Sequence, residues 1–218
     1  VLALGVLALA LLLLSVPWWG RQLAFFRVRH VEVRGTRYVD PADIAARLAI
    51  DTLHSIWLPL DSLEARAARH GMVQRARVRR WLPSTLIVEV TEYVPVALVP
   101  QRTGLRAYDE NAVALPLDPS RVPADLPIIT APDTGILRLL ADIRSERPEL
   151  FARISEIRPM GREQLRMVLI DVQVLVMRDV SAERFDELSS VERDLARRRI
   201  APVELDLRFK DQVIARVP

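Results

Sequence analysis

The first twenty residues, Val1 to Gly20, carry no charge and include eight leucines. As an α-helix at 1.5 Å per residue this run would be about 30 Å long, the thickness of a bilayer's hydrocarbon core, and it has no polar face to offer to water. Trp18 and Trp19 stand at its end, where an aromatic belt meets the headgroups, and Pro17 falls in the last turn. A secretory signal would have a shorter apolar region followed by a small-x-small cleavage site, and Ser15-Val16-Pro17-Trp18-Trp19 makes a poor one. The run therefore predicts one transmembrane helix over residues 1–20. Arg21, Arg27, Arg29, Arg34 and Arg37 come after it and taken alone would place that side in the cytoplasm. The sequence opens inside the apolar run, so an exported body requires a strongly basic flank upstream.

Past Gly20 the patterning is that of a globular α+β chain. Val28, Val31 and Val33 sit among Arg29, His30, Glu32 and Arg34, which predicts a half-buried strand ending at Gly35. Asp40-Pro41-Ala42-Asp43 reads as an N-cap, a proline at the first helical position and an acid in the first turn, with Ile44 and Leu48 as the apolar side. Asp61-Ser62-Leu63-Glu64 predicts a capping box for a second helix that packs Leu63, Ala67 and Ala68 and ends at Gly71. Val73 to Arg80 and Leu86 to Tyr93 alternate as two further strands, turned by Trp81-Leu82-Pro83-Ser84. The order is strand, helix, helix, strand, strand.

Beyond Ala97 the patterning is looser. A short strand is expected at Val96 to Val99, then a turn around Asp109-Glu110-Asn111, then an extended proline-rich connection from Leu115 to Pro132. A helix is predicted from about Gly135 to Ser145, and strands over Phe151 to Arg158, Gln164 to Ile170 and Val172 to Met177. Another helix should be capped by Ser181 and end in Arg197-Arg198-Arg199. Two closing strands, Val203 to Phe209 and Gln212 to Val217, complete the expected pattern.

The residues give little chemistry. With 31 basic against 28 acidic side chains, interspersed along the chain, the balance argues against nucleic-acid binding. The absence of cysteine excludes disulfides, thiol chemistry and Cys-based zinc sites. His30, His54 and His70 share no ligand spacing, the seven glycines form no phosphate loop, and Asp109-Glu110 and Asp142 suit turn and helix-surface roles better than an acid/base pair. No catalysis and no cofactor are expected. An open sheet edge at the last strand would instead offer its backbone to a guest strand, with Val213, Ile214 and Val217 as apolar contacts.

The first pattern, with Val33-Arg34-Gly35 ahead of a capped helix, resembles a POTRA (polypeptide-transport-associated) domain. The runs Ala76-Arg77-Val78-Arg79-Arg80-Trp81-Leu82-Pro83-Ser84-Thr85-Leu86 and Val90-Thr91-Glu92-Tyr93-Val94-Pro95-Val96-Ala97, with the ending Val203-Glu204-Leu205-Asp206-Leu207-Arg208-Phe209, closely resemble the bacterial FtsQ/DivIB cell division family. The Asp-x-x-Gly turn of that family has Asn111 at the expected glycine, and its glycine after the middle strand pair is replaced by Met177-Arg178-Asp179.

The resemblance implies a transmembrane helix (1–20), a POTRA domain (21–97, β-α-α-β-β) and an FtsQ-type second α+β domain (98–218) with a mainly antiparallel sheet. It implies a single-pass protein of the cytoplasmic membrane, its body periplasmic or otherwise extracytoplasmic, acting at the division septum. Its partners would be an FtsB/FtsL-type coiled-coil pair, bound by strand addition, and other division proteins bound through the POTRA domain. The binding residues carried over are Arg208, Phe209, Gln212, Val213, Ile214, Ala215, Arg216 and Val217, with Arg162 as a second contact to an acid. Arg37, Arg75, Arg77 and Arg79 are the POTRA candidates. Two other readings remain open: a POTRA module of a transport or secretion system, which a downstream barrel or tandem POTRA units would favour, and a membrane-tethered hydrolase, which a convergent pocket would favour.

Overall fold

The structure, a computed structural model, describes residues 24–51, 53–117, 125–210 and 212–217. The expected membrane helix lies outside them, and among the described residues no helix is long and apolar enough to cross a membrane. The chain divides into two compact units, Val1–Tyr93 and Val94–Pro218.

The first unit holds β1 (His30–Arg34), α1 (Pro41–Leu48), α2 (Leu60–Ala67), β2 (Val73–Trp81) and β3 (Thr85–Glu92). The strands form a sheet in the order β1-β3-β2, with β1 parallel and β2 antiparallel to the central β3. Both helices lie against it, and Ile44, Leu48, Leu63 and Ala67 are buried along with Ala76, Val78, Leu86, Val88 and Val90. Asp40 caps α1 as expected, accepting from the Ala42 amide at 2.8 Å. Gly35 has φ +86, and a Cβ there would stand 2.3 Å from the Val90 carbonyl oxygen, so both the conformation and the close approach require glycine.

The capping box of α2 does not form. Pro59 takes the cap position, the Ser62 hydroxyl donates to the Pro59 carbonyl, and the Glu64 carboxylate instead accepts the Val78 amide of β2 at 2.8 Å. Tertiary pairing has drawn the acid away from its own helix. Ala68 is exposed, since α2 stops at Ala67 and not at Gly71.

Among the described residues the second unit forms a nine-stranded sheet that shares its core with three helices. Its strands are β4 (Ala97–Gln101), β5 (Gly104–Tyr108), β6 (Ala114–Leu115), β7 (Ile128–Ile129), β8 (Ile154–Met160), β9 (Gln164–Leu169), β10 (Gln173–Met177), β11 (Glu204–Asp206) and β12 (Ile214–Arg216), in the spatial order β12-β11-β10-β9-β8-β7-β4-β5-β6. The sheet is mixed: five of its eight strand pairs are antiparallel, in keeping with the expected mainly antiparallel sheet, and β4–β7, β7–β8 and β10–β11 are parallel pairs. Each of these parallel contacts arises from a helical crossover or a long connection, which turn-based patterning along the sequence does not reveal.

Helices α3 (Thr134–Glu146), α4 (Pro148–Arg153) and α5 (Phe185–Arg197) bury Leu137, Leu140, Ile143, Phe151, Phe185 and Leu188 against Ile129, Ile157, Leu165, Met167, Val174, Val176 and Leu205. The strand expected from Phe151 begins only at Ile154, because Pro148 and Glu149 start a short helix that carries Phe151 into the core. Ser181 makes no side-chain cap: a 3-10 turn (Ala182–Arg184) intervenes before α5. Arg197 ends α5, Arg198 pairs back to Asp194, and Arg199 adopts φ +58. The positive φ of the 109–112 turn falls on Ala112 (φ 62), not on Asn111. Asp109, buried, accepts the Asn111 and Val113 amides and fixes that turn.

Candidate partner-binding edge

The last strand, β12, is the outermost strand of the large sheet and, among the described residues, is paired only to β11, with Glu204↔Arg216, Leu205↔Ala215 and Asp206↔Ile214 in register. Both closing strands are shorter than expected. The Asp206 carboxylate accepts the Arg208 amide at 3.0 Å and turns the chain out of β11, while the Leu207 amide still donates to the Leu175 carbonyl. Alternation along β12 splits the predicted residues. Val213 and Ala215 pack towards the core, whereas Ile214 (46 % exposed) and Arg216 face solvent. Gln212 and Val217 are exposed at its two ends, and Val203 and Phe209 add exposed apolar surface beside it.

Arg208 is not free. Its guanidinium forms a fork on Asp206, with Nε to Oδ1 at 2.8 Å and a second nitrogen to Oδ2 at 2.5 Å, and its remaining nitrogen donates to Gln164 Oε1 at 2.7 Å. This geometry bolts the end of β11 to the start of β9. The hydrogen bond from Arg208 is the main reason the Asp206 carboxyl lies below its ordinary value of 3.8, against the opposing effect of burial, and Arg208 is correspondingly raised. Phe209 has an exposed ring, and its carbonyl accepts from Arg184, which also pairs with Glu187 of α5. Arg216 approaches Glu204 across the strand pair at 3.5 Å but remains largely exposed.

Arg162 stands in the β8–β9 turn and makes no side-chain hydrogen bond or ion pair among the described residues. It shares the sheet end that carries Gln164, Asp206 and Arg208, but three strand spacings, about 15 Å, separate its turn from β12. Thus residues 212–217 stand at the sheet edge beside Phe209, whereas Arg208 turns inward to Gln164 on β9, and Arg162, two residues before Gln164, lies on that side and apart from β12. Arg178, within the Met177-Arg178-Asp179 stretch, reaches across to the α3 N-cap, Asp133, at 2.5 Å. Burial pushes the Asp133 carboxyl up, but Arg178 and the Ile136 and Gly135 amides outweigh it and hold the group below 3.8.

The other edges differ. β2, the outer strand of the small sheet, has its Val78 amide taken by Glu64, and its exposed positions include Arg75, Arg77 and Arg79, the last paired to Glu89 at 3.1 Å. These charges blunt that edge. Arg37 lies over the Tyr38 ring, and the two amides of Arg37 and Tyr38, with that of Val39, donate to the buried carboxylate of Glu92 at 3.0, 2.8 and 3.0 Å. Sequence reasoning assigned Glu92 no role. Its signal was an acid closing an apolar strand, Leu86 to Val90, at a position whose alternation points inward. Among the described residues no group of His, Asp and Glu is gathered as a metal site requires.

Residues 26–93 match the family model described as POTRA domain, FtsQ-type, and residues 97–208 match the model described as cell division protein FtsQ/DivIB, C-terminal. The chain belongs to the FtsQ/DivIB family of cell division proteins. Among curated relatives, it is similar to cell division protein FtsQ of Zymomonas mobilis, 36 % identical over 111 residues (48 % of this chain, 33 % of that one). FtsQ of Rhodothermus marinus is 35 % identical over 132 residues (59 % and 46 %), and FtsQ of Novosphingobium aromaticivorans 25 % over 202 residues (89 % and 62 %). The aligned region is thus a third to a half of the first two relatives' own length. The POTRA order expected for the first unit is the one observed, and the two family models fall on the two units in turn.

Proposed function

We propose that this FtsQ/DivIB family member is a bitopic scaffold of the division machinery, anchored by Val1–Gly20 in the cytoplasmic membrane with its body outside. It sits at the septum, and β12 takes a strand from an FtsB/FtsL-type coiled-coil pair. The POTRA unit serves other division proteins. The role is binding without catalysis and needs no cofactor. The observation that carries the reading is β12 itself: among the described residues it is outermost and paired on one side, with Ile214 exposed beside Val203, Phe209 and Val217 and with the Arg208–Asp206 fork holding its neighbour β11 in place. An added strand would gain main-chain hydrogen bonds and bury those side chains.

The test is capture of the coiled-coil pair from the same organism by the full chain, comparing wild type with Ile214→Pro and Ile214→Glu. Proline removes a ladder donor and glutamate charges the apolar contact while leaving the backbone intact. Capture by wild type, lost in both variants, is expected. Capture retained in both well-folded variants refutes the strand-addition reading, and no capture by wild type favours a transport module.

A further inference from the structure

One end of the first unit carries a surface that the division-partner reading does not use. Residues 24–29, 53–57 and the turn after β2 converge there. The Ile56 amide donates to the Phe26 carbonyl at 2.7 Å, the Val28 amide to the His54 carbonyl at 2.9 Å, and the Arg29 amide to the Ser84 carbonyl at 2.8 Å. Arg80 binds the Ile56 and Leu58 carbonyls and lies over the Trp57 ring, which also meets Phe26. On this braced end Phe25 (60 %), Leu53 (69 %), Trp81 (66 %) and Leu82 (53 %) are exposed, with Trp57 at 37 %. Single exposed apolar residues are ordinary, but five large ones gathered on one end mark a surface that is covered in use.

We infer that this end of the POTRA unit rests in the headgroup region of an anionic bilayer. The inference rests on the reading of Val1–Gly20 as a membrane anchor. Between Gly20 and Phe25 the chain spans at most about 18 Å even when fully extended, so an anchored run holds this end against the membrane surface. Its chemistry suits that place. Tryptophan, phenylalanine and leucine partition into the boundary, and Arg27 and Arg29, both exposed, meet lipid phosphates. The segments 24–29, 51–58 and 80–84 contain three arginines and one acid, Asp51. The docked unit would have its orientation set at two places, the chain entry and the Trp81–Leu82 turn, and would not swing freely on its tether.

The experiment uses the full chain in vesicles of phosphatidylcholine and phosphatidylglycerol, with Trp18→Phe and Trp19→Phe so that Trp57 and Trp81 are the remaining emitters. Flotation establishes insertion. Lipids brominated near the headgroup then report contact. Quenching of Trp57 and Trp81 is expected, stronger with the anionic lipid present and falling about twofold or more in Leu82→Glu, which charges the contact at an exposed turn position. A chain that floats with both tryptophans unquenched overturns the inference while leaving the anchor reading intact. A chain that does not float removes both. Tryptophans unquenched by lipid but shielded from iodide on adding a division protein would assign the surface to a protein and overturn the lipid assignment.

Discussion

Removing the Glu92 carboxylate should unfold the first unit more readily than any other single surface-distant change to a polar group. Its two oxygens accept three backbone amides, those of Arg37, Tyr38 and Val39, at 2.8 to 3.0 Å, and the carboxylate lies in a residue only 8 % exposed. These amides belong to the segment between β1 and α1, and the substitution takes their acceptor away. A buried donor left unmade costs about 1–3 kcal/mol. Taking about 2 kcal/mol for the buried Val39 amide and about 1 kcal/mol for each of the two half-buried ones, Glu92→Ala should cost roughly 4 kcal/mol. Glu92→Gln keeps one acceptor oxygen but turns an NH2 towards an amide, so about 2 kcal/mol is expected. The assay is native-state hydrogen exchange at the β3 core amides, because the second unit has its own core and would blur a whole-chain melt. Amides of 37–39 should also exchange faster. A Glu92→Gln chain within about 0.5 kcal/mol of wild type would refute the account of Glu92 as the clasp of this unit.

Three further outcomes are expected from the geometry. Ala112→Gly should raise the stability of the second unit by about 0.5–1 kcal/mol in thermal unfolding, since Ala112 holds φ 62 without glycine's freedom. Asp206 has a folded-state pKa below 3.8, so its contribution is present above that value and lost as pH falls through the lower folded value. Arg208→Ala should therefore destabilise by about 1 kcal/mol at neutral pH, with the difference from wild type shrinking below pH 3.8 in acid titrations followed by circular dichroism. Burial, then Arg47, lowers the His70 pKa below 6.5, and its Nδ1 accepts the Met72 amide at 3.2 Å. Neutral His70 thus favours the fold above pH 6.5. That contribution falls away as pH drops through the folded value, and His70→Gln should flatten the pH slope of the first unit's stability below 6.5.

The first unit was legible because its order is set by local signals: a capped helix at Asp40-Pro41, two alternating strands and a turn rich in breakers. The motif Glu92-x-x-Pro95-x-Ala97 was legible as a family signature but not as physics. Its glutamate clasps three amides of the first unit, whereas Pro95, through its carbonyl, is held by Arg144, and Ala97 is buried in the second unit's core. Long-range partners of this kind leave no periodicity. The same reason explains Glu64, read as a cap and found on β2, and Arg208, read as a contact for a partner and found on Asp206 and Gln164. Strands of two residues, such as β6 and β7, are too short for alternation to define them, whereas β11 and β12 were legible as strands but not in their length. What could be read at the candidate edge was its composition: apolar residues separated by few charges at the end of the chain.

Hydrogen exchange of the full chain, with and without the coiled-coil pair, tests the central claim most directly, because strand addition must protect the outward amides of one edge. The account predicts new protection confined to residues 212–217, with β2 unchanged. A complex that forms while these amides exchange as before, or that protects β2 instead, contradicts it.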